Sequence, residues 1–392
     1  MSLSQEVDFP WDIGIQDAHC HPTDTMASIA SIAAMKTATL TVMATRAEDQ
    51  DLVQQVAQSI NSQENAISAS SRDRIVPCFG WHPWFSHQIF DDTQPGTRTV
   101  PDKHTHYSAV LSPGPHNDTE FTNSLPSPKP LSQLIAEIKA RLQQFPHALV
   151  GEIGLDKTFR LPSAWTGPEL DNRDEELTTG SREGRKLTQY RVNMQHQTVV
   201  LKAQLKLAGE LGRPVSVHSV QAHGVVLKQF QELWTGYELK IVSRRKMIRE
   251  KDAEGAFPNE TDNIVTQDRK DSASAEISTP SPLPFPTRIC MHSYSGPVEP
   301  IRQFLNRTNP SQVYFSFSYL INFERARGKK ACDVIKAVPE DRILVESDLN
   351  MAGPEIDDLI EKAARQVCEL RGWELKHGVK ILSDNWKRFI FG

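Results

Sequence analysis

Residues 148–156 read ALVGEIGLD, a short apolar run that carries two carboxylates, Glu152 and Asp156. A run of this length is typical of one strand buried on both faces, as in parallel sheets. Seven other runs resemble it, and helix-like stretches separate them. The eight predicted strands are Ile13–His19, Thr39–Ala44, Ile75–Gly80, Ala148–Gly154, Pro214–His218, Arg288–His292, Val313–Ser318 and Ile343–Asp348.

The stretches between these runs have helical periodicity. Leu131–Phe145 places its leucines and isoleucines on one stripe. Gln189–Leu211 ends before a Gly-Arg-Pro sequence, and Pro354–Leu370 begins with a proline in its first turn. Strands that alternate with helices in this way predict an α/β protein with a (β/α)8 TIM barrel.

The chain has 392 residues, more than the roughly 250 that such a barrel typically needs. Three polar segments account for the surplus, at about residues 91–130, 157–185 and 244–286. Each lacks the apolar periodicity for a core of its own. We therefore predict a single barrel domain over residues 1–392, with three loop insertions or unstructured segments.

Charge and cysteine content exclude some classes of protein. A formal net charge of -5 does not suit a basic protein that coats nucleic acid, although a metal could supply positive charge for a nucleic-acid substrate. The five cysteines form no C-x-x-C pair, which favours reduced thiols in an intracellular protein. Without a signal-peptide pattern or membrane-length apolar run, we expect no membrane association and a cytoplasmic location, with the nucleus as an additional possibility.

Histidines and carboxylates recur at the predicted strand ends. The active site of a TIM barrel is built at the carboxyl ends of its strands, so these groups are expected to meet. Taken singly, each would be an ordinary polar residue beside a loop. Together they offer imidazole and carboxylate ligands for divalent metals, and Glu152 could bridge two ions that act on a phosphodiester. The six residues are His19, His21, Glu152, His218, His292 and Asp348.

Seven motifs in this order resemble the TatD family of metal-dependent deoxyribonucleases, within the amidohydrolase-like barrels. The resemblance covers nearly the whole chain apart from the polar insertions. The motifs are DAHCHPTD (17–24), GWHP (80–83), VGEIGLD (150–156), QLKLAGELGRPVSVH (204–218), MHSYSG (291–296), DRILVESD (341–348) and LSDNWKRFIFG (382–392).

The resemblance implies a site with two divalent metal ions, for which Zn, Mn, Mg, Ni and Co are all candidates. It also implies DNA as the substrate, often trimmed from the 3′ end, and a role for Asp348 in orienting or deprotonating the attacking water. The implied ligands are His19, His21 and Asp348 for one ion, His218 and His292 for the other, and Glu152 between them.

Three other residues are candidates for contact with the substrate or with the ligands. His82 matches a family position near the scissile phosphate and is a catalytic candidate, although a buried structural histidine is an alternative. Asp24 and Asp156 are expected to accept N–H bonds from ligand imidazoles. The neighbouring Trp84 could stack on a base, but packing as a loop anchor is favoured.

The chain departs from the family pattern after His218. Many relatives place Arg or Lys two residues further on, where this chain has Val220, so a phosphate-binding cation is missing. The main prediction is a TatD-like hydrolase of ester bonds. Two alternatives stay open: an amidohydrolase-like enzyme for a small cyclic amide or ester, and a barrel retained to bind a protein partner through its insertions.

Overall fold

Eight parallel strands form the centre of the fold. The structure is a computed structural model that describes residues 7–67, 73–96, 99–180, 182–240, 282–325 and 329–392. Each strand pairs with the next along the chain, and the predicted (β/α)8 barrel is confirmed. The strands are β1 Gln16–Cys20, β2 Thr39–Met43, β3 Ile75–Phe79, β4 Leu149–Asp156, β5 Val215–Val220, β6 Arg288–Met291, β7 Gln312–Ser318 and β8 Ile343–Glu346.

The last strand returns to the first and nearly closes the barrel. Beyond β8, the backbone N–H of Asp348 donates to the His19 carbonyl at 3.0 Å, and the N–H of His21 donates to the Leu349 carbonyl at 2.6 Å. The Asp17 carboxylate on β1 accepts two bonds from Ser347, one from its hydroxyl at 2.5 Å. These bonds bring the two ends of the chain together at the barrel mouth.

Helices and short helical turns surround these strands. The α-helices of the described residues are α1 Ala47–Ile67, α2 Lys103–Val110, α3 Thr119–Ser124, α4 Leu131–Gln144, α5 Gly167–Asp171, α6 Met194–Glu210, α7 His223–Trp234, α8 Ile301–Phe304, α9 Lys329–Ala337, α10 Pro354–Arg371 and α11 Leu375–Phe391. Shorter 3-10 turns occupy Trp11–Ile13, Pro22–Asp24, Met26–Ala34, Pro83–Gln88 and Glu340–Arg342, and Tyr319–Arg325 forms a π-helical segment.

The helix predicted from Gln189 begins later, at Met194. Asn193 starts it, because its side-chain oxygen accepts the N–H of Gln195 at 2.8 Å. The residues just before it form a short strand, Arg191–Val192, which pairs antiparallel with Leu111–Ser112. The predicted start was therefore wrong by about one turn.

The core lies between the strands and the helices around them. Every residue of β4 is buried, as expected for a strand that is covered on both faces. On α10, Ile356, Ile360, Ala363 and Val367 are buried at helical spacing, which presents one apolar stripe to the barrel. The carboxyl ends of the strands open into a cavity of about 820 Å³.

Residues 99–130 have more structure than the sequence analysis predicted. Helices α2 and α3 lie here, and the segment contributes to an apolar cluster that is separate from the main core. This cluster is not a core of one insertion alone, because it collects residues from three segments that show no periodicity singly. Its buried members are Tyr107, Val110, Leu111, Phe121, Leu161, Tyr190 and Val192.

Residues 157–180 lie against the barrel mouth. The backbone N–H of Thr178 donates to the Asp24 carbonyl at 2.8 Å, and its hydroxyl donates to the Thr23 carbonyl at 2.5 Å. The third predicted insertion, 244–286, lies outside the described residues except for 282–286, where Phe285 is buried. None of the described helices has both the length and the apolar character required to cross a membrane.

Candidate metal centre

The six predicted ligands lie together at the barrel mouth. His19 is on β1, Glu152 on β4 and His218 on β5, and the other three follow β1, β6 and β8 directly or within two residues. His19 is fully buried behind the cavity. The remaining members of the set line it: His21, Glu152, His218, His292 and Asp348.

Glu152 stands at the centre of this set, and its two oxygens face different histidines. Oε2 lies 3.4 Å from Nε2 of both His19 and His21. Oε1 lies 2.9 Å from Nδ1 of His218 and 2.9 Å from Nε2 of His292. This is the arrangement expected of a carboxylate that two ions would share.

Asp348 completes the side of the site formed by His19 and His21. Its Oδ1 lies 3.5 Å from Nε2 of His21 and 3.8 Å from Nε2 of His19. The backbone at Asp348 has a φ of 57°, a left-handed conformation that is uncommon for residues other than glycine. The N–H bond to the His19 carbonyl holds this conformation, so barrel closure itself directs the Asp348 carboxylate toward the imidazoles.

Polar side chains hold three of the candidate imidazoles from the side opposite Glu152. In each ring, one nitrogen meets such a partner while the other faces Glu152. This pattern fits metal ligation, because a partner on the outer nitrogen sets the tautomer and orientation of the ring. The pairs are His19 Nδ1 with Ser216 Oγ at 2.9 Å, His218 Nε2 with Asp156 Oδ2 at 3.1 Å, and His292 Nδ1 with Glu346 Oε1 at 3.4 Å.

The surrounding imidazoles keep Glu152 ionised. Burial by itself would raise the pKa of Glu152, but the nearby imidazoles of His82, His292 and His19 hold it well below its usual range. For His21, burial would lower the pKa, but the hydrogen bond with Asp348 and the charge of Glu152 raise it to about 9. The site concentrates negative charge that either protons or cations can neutralise.

His82 is buried in the same group. Its Nε2 lies 3.1 Å from Oε1 of Glu152, and its Nδ1 accepts the backbone N–H of Trp84 at 3.1 Å. Burial lowers the pKa of His82 to about 4, so the ring is neutral at pH 7. Because Nδ1 accepts a hydrogen bond, the proton is on Nε2, which makes that atom a donor toward the site.

Ligand atoms of His82, Glu152 and His218 also lie within 4.8 Å of one another. That spacing alone would allow His82 to be a metal ligand. However, a ligand nitrogen must offer a lone pair, and in His82 the inward-facing nitrogen carries the proton. The geometry thus favours the predicted substrate contact over ligation.

The two predicted carboxylate partners differ. Asp156 lies 3.1 Å from Nε2 of the candidate ligand His218. Asp24 instead accepts a hydrogen bond from Arg46 at 2.8 Å. Arg46, which the sequence analysis missed, is 2% exposed; it also pairs with Asp49 at 3.2 Å and donates to the Thr179 carbonyl at 3.0 Å. Its position just after β2 was the available signal, because residues there face the mouth.

Glu346 was missed as well. It is fully buried on β8, where it accepts bonds from the backbone N–H of Ser293 at 2.7 Å and from the hydroxyls of Ser293 and Ser316. The same carboxylate lies behind His292. Its spacing of two residues from Asp348 could have revealed it, since alternate residues of a strand share a face.

Known proteins resemble this chain over nearly its whole length. A family model described as TatD related DNase matches residues 16–391. The Cut9-interacting protein scn1 of Schizosaccharomyces pombe is 35% identical over 378 residues, covering 96% of this chain and 98% of that protein. The uncharacterized deoxyribonuclease YMR262W of Saccharomyces cerevisiae is 26% identical over 344 residues, covering 84% and 86%.

A solved structure supports the fold. The TatD homolog YJJV of Escherichia coli matches with a TM-score of 0.50 and 18% identity, covering 96% of this chain and 98% of that one. The family match spans both ends of the barrel and every predicted ligand. The chain therefore belongs to the TatD-related DNase family of metal-dependent hydrolases.

Proposed function

We propose that this protein hydrolyses phosphodiester bonds at DNA ends with two divalent metal ions. The observation that carries the proposal is the position of Glu152, whose two oxygens face two separate sets of imidazoles. When bound, such ions would activate water and neutralise negative charge on the phosphate. One ion would be held by His19, His21 and Asp348, the other by His218 and His292, with Glu152 contacting both.

Two side chains, Asp348 and His82, would supply the remaining proton transfer and hydrogen bonding. The Asp348 side chain is 19% exposed at the mouth, so its carboxylate can reach a water molecule from the cavity. It would take the proton from that water as the water attacks phosphorus, while the bond from phosphorus to the leaving sugar oxygen breaks and that oxygen takes a proton from solvent. The Nε2–H of His82 would donate to a phosphate oxygen, and its lowered pKa keeps that nitrogen a neutral donor.

DNA is favoured over a small cyclic amide or ester. The relative YMR262W is named a deoxyribonuclease, and the matching family is described as TatD related DNase. In addition, the cavity of about 820 Å³ is near the upper end of the range for small-ligand pockets, roughly 300–1,000 Å³. A short stretch of nucleic acid would use this space better than a single small ring.

Replacing Glu152 with alanine tests the proposal. The substitution removes the shared ligand, so hydrolysis of an end-labelled oligonucleotide should fall by about 10²- to 10³-fold, as when a catalytic electrostatic group is lost. Bound metal, measured by elemental analysis, should fall too. Glu369→Ala, which removes an exposed carboxylate on α10, is the control and should change neither quantity.

Two outcomes would contradict the assignment. Wild-type nuclease activity in purified Glu152→Ala would show that the measured reaction does not use this site. Hydrolysis of lactones or cyclic amides by the metal-loaded wild type, without cleavage of DNA, would favour the amidohydrolase-like alternative.

We also propose that the insertions bind a protein partner in addition to the catalytic role. Support comes from the relative with 35% identity, which is named for its interaction with Cut9. Deletion of residues 244–281 tests this, because the described barrel does not include them. Purified Cut9 should bind the full chain and not the deleted one, while oligonucleotide hydrolysis stays unchanged. Equal binding by both chains would exclude this segment as the contact.

A further inference from the structure

Two aromatic rings form a flat surface on one wall of the cavity. The rings of Trp84 and Phe159 stack with centroids 4.4 Å apart and an interplanar angle of 10°. Both line the cavity, and Trp84 is 36% exposed. We call this pair the aromatic shelf. The Trp84 ring lies 4.7 Å from the ring of His82 and 5.9 Å from that of His218, so the shelf begins beside the metal centre.

One carboxylate connects the shelf to the metal centre. Oδ2 of Asp156 accepts the indole N–H of Trp84 at 2.7 Å and lies 3.1 Å from Nε2 of the ligand His218. Oδ1 of the same residue accepts the backbone N–H of Phe159 at 3.0 Å. The hydrogen bonds therefore hold both rings and a metal ligand in one arrangement, which is the preorganisation that a binding site requires.

Two arginines also line the cavity. Arg182 and Arg185 line it, and each donates its Nε–H to the backbone carbonyl of the other, at 3.0 and 3.1 Å. The guanidinium of Arg185 lies 4.5 Å from the ring centroid of Trp165. Arg46 also lines the cavity, but two carboxylates balance its charge. Arg182 and Arg185 thus add two guanidinium groups to the cavity lining, and Glu183 and Glu169 lie close enough to Arg185 to raise its pKa against the effect of burial.

We propose that the aromatic shelf stacks the base next to the scissile phosphate, and that Arg182 and Arg185 bind the following phosphate. This inference rests on the proposed function and identifies the part of the substrate that the cavity recognises. Stacking does not depend on base identity, because every base has a π face, and it contributes about 1–3 kcal/mol per base. That energy corresponds to about 5- to 150-fold in affinity.

Two small ligands isolate the contribution of the base. Thymidine 5′-monophosphate and 2-deoxyribose 5-phosphate share a phosphate and a sugar, and only the first has a base. Calorimetric titration of the manganese-loaded protein should show about 5- to 150-fold tighter binding of the nucleotide. Phe159→Ala should remove most of this ratio and leave the affinity for the sugar phosphate unchanged.

Phe159→Leu controls for misfolding of the alanine variant, because leucine keeps an apolar contact without a π face. It should also lose the ratio. Tyr237→Ala is the matched control: this aromatic residue is 46% exposed, contacts one ring, that of Phe285, and lies outside the cavity lining. The control should keep the ratio.

A separate measurement, the affinity for a dinucleotide, tests the role of the arginines. The dinucleotide pTpT should bind the wild type more tightly than the mononucleotide does, and Arg182→Ala should reduce that gain. Because the gain is electrostatic, it should also shrink as salt increases. A dinucleotide affinity that is insensitive to both changes would overturn the phosphate assignment.

The failure of this inference can be told apart from the failure of the proposed function. Equal binding of nucleotide and sugar phosphate, or an unchanged ratio in both Phe159 variants, overturns the shelf even if the protein cleaves DNA. If the ratio follows the prediction but no phosphodiester is hydrolysed, the shelf is supported and the proposed reaction is wrong.

Discussion

The metal centre and the insertions beside it are held in different ways. The centre lies on strand ends, and neighbouring strands of the barrel support its candidate ligands on both sides. The insertion layer, which we define as described residues 99–130, 157–180 and 182–192, rests on a small apolar cluster and on hydrogen bonds between loops. The candidate catalytic residues therefore lie on the rigid barrel, whereas the residues proposed to bind substrate lie on loops attached to it.

Arg46 and Asp156 join the two regions. Arg46 contacts Asp24 and Asp49 near the barrel and the Thr179 carbonyl of the insertion layer. Asp156 contacts His218 on one side and Trp84 and Phe159 on the other. If the metal centre and the insertion layer are held separately, a substitution within one region should leave the other intact. A substitution of Arg46 or Asp156 should affect both regions.

Metal loading should have one of the two largest effects, and it should act on the centre alone. A ligand at about 1,000 times its dissociation constant stabilises the folded state by about 4 kcal/mol. Unfolding of chelator-treated and metal-loaded protein measures this difference, and hydrogen exchange should localise the added protection to β1, β4 and β5. An equal gain in Glu152→Ala would place the bound metal elsewhere.

Arg46→Met should destabilise both regions, because it leaves the carboxylate of Asp49 buried without its cation. Breaking a buried pair in this way costs about 3–5 kcal/mol. Asp49 is 1% exposed, and its burial raises its pKa to about 6 even beside Arg46. Urea unfolding provides the measurement.

Two comparisons decide whether the buried charge is the cause. Adding Asp49→Asn to Arg46→Met should recover part of the loss, because it removes the unpaired charge. Lys362→Met, which breaks an exposed pair with Asp358, should have little effect. If Lys362→Met and Arg46→Met lower the free energy of unfolding by the same amount, burial of the unpaired Asp49 carboxylate is not the reason.

Acidification should destabilise the insertion layer. His106 on α2 donates from Nε2 to the His87 carbonyl at 2.7 Å, and burial lowers its pKa to about 4. The unfolded chain, with a histidine pKa of about 6.5, binds more protons between pH 6.5 and 4. Stability is therefore complete above pH 6.5 and falls as the pH drops, by about 2 kcal/mol at pH 5.

The free energy of unfolding measured from pH 7 to pH 5 checks this sign and size. His106→Gln removes the contribution of this group and should make the dependence shallower by that amount, while the lowered pKa values of His82 and His87 leave a remaining slope. His377→Gln, at an exposed position of α11, should preserve it. The same slope in His106→Gln as in the wild type would contradict the assignment.

Tyr107→Phe should have the smallest effect. The buried hydroxyl of Tyr107 donates to the Pro126 carbonyl at 2.6 Å, and a hydrogen bond of this kind contributes about 1 kcal/mol. The loss should be confined to the insertion layer, so the affinity for metal should match that of the wild type. A change in metal affinity would show that the two regions are coupled more tightly than their contacts indicate.

Much of the barrel could be predicted because its signals are local. Each buried strand is an apolar run, and strand bounds agree with the structure within three residues. Because barrel sites form at the carboxyl ends of the strands, the six candidate ligands could be predicted to lie together before any distance was known. The division of these residues on either side of Glu152 was implied by the family resemblance, whereas the distances to its two oxygens depend on how the barrel closes.

The insertion layer was largely missed for the opposite reason. Tyr107, Leu161 and Tyr190 belong to one cluster but come from segments that are polar overall. No window of sequence contains their shared apolar surface. Arg46 and Glu346 were missed too, since their roles depend on partners distant in sequence, including Thr179 and Ser293.

The sequence by itself determined the strand order, the barrel and the identity of the candidate ligands, because alternating periodicities and residue chemistry are local properties. Only the tertiary structure decided which nitrogen of each imidazole faces inward, that His82 carries its proton on Nε2, and that Asp156 links a ligand to the aromatic shelf. These features arise from hydrogen bonds between residues far apart in the chain, and such bonds form only once closure of the barrel has brought their partners together.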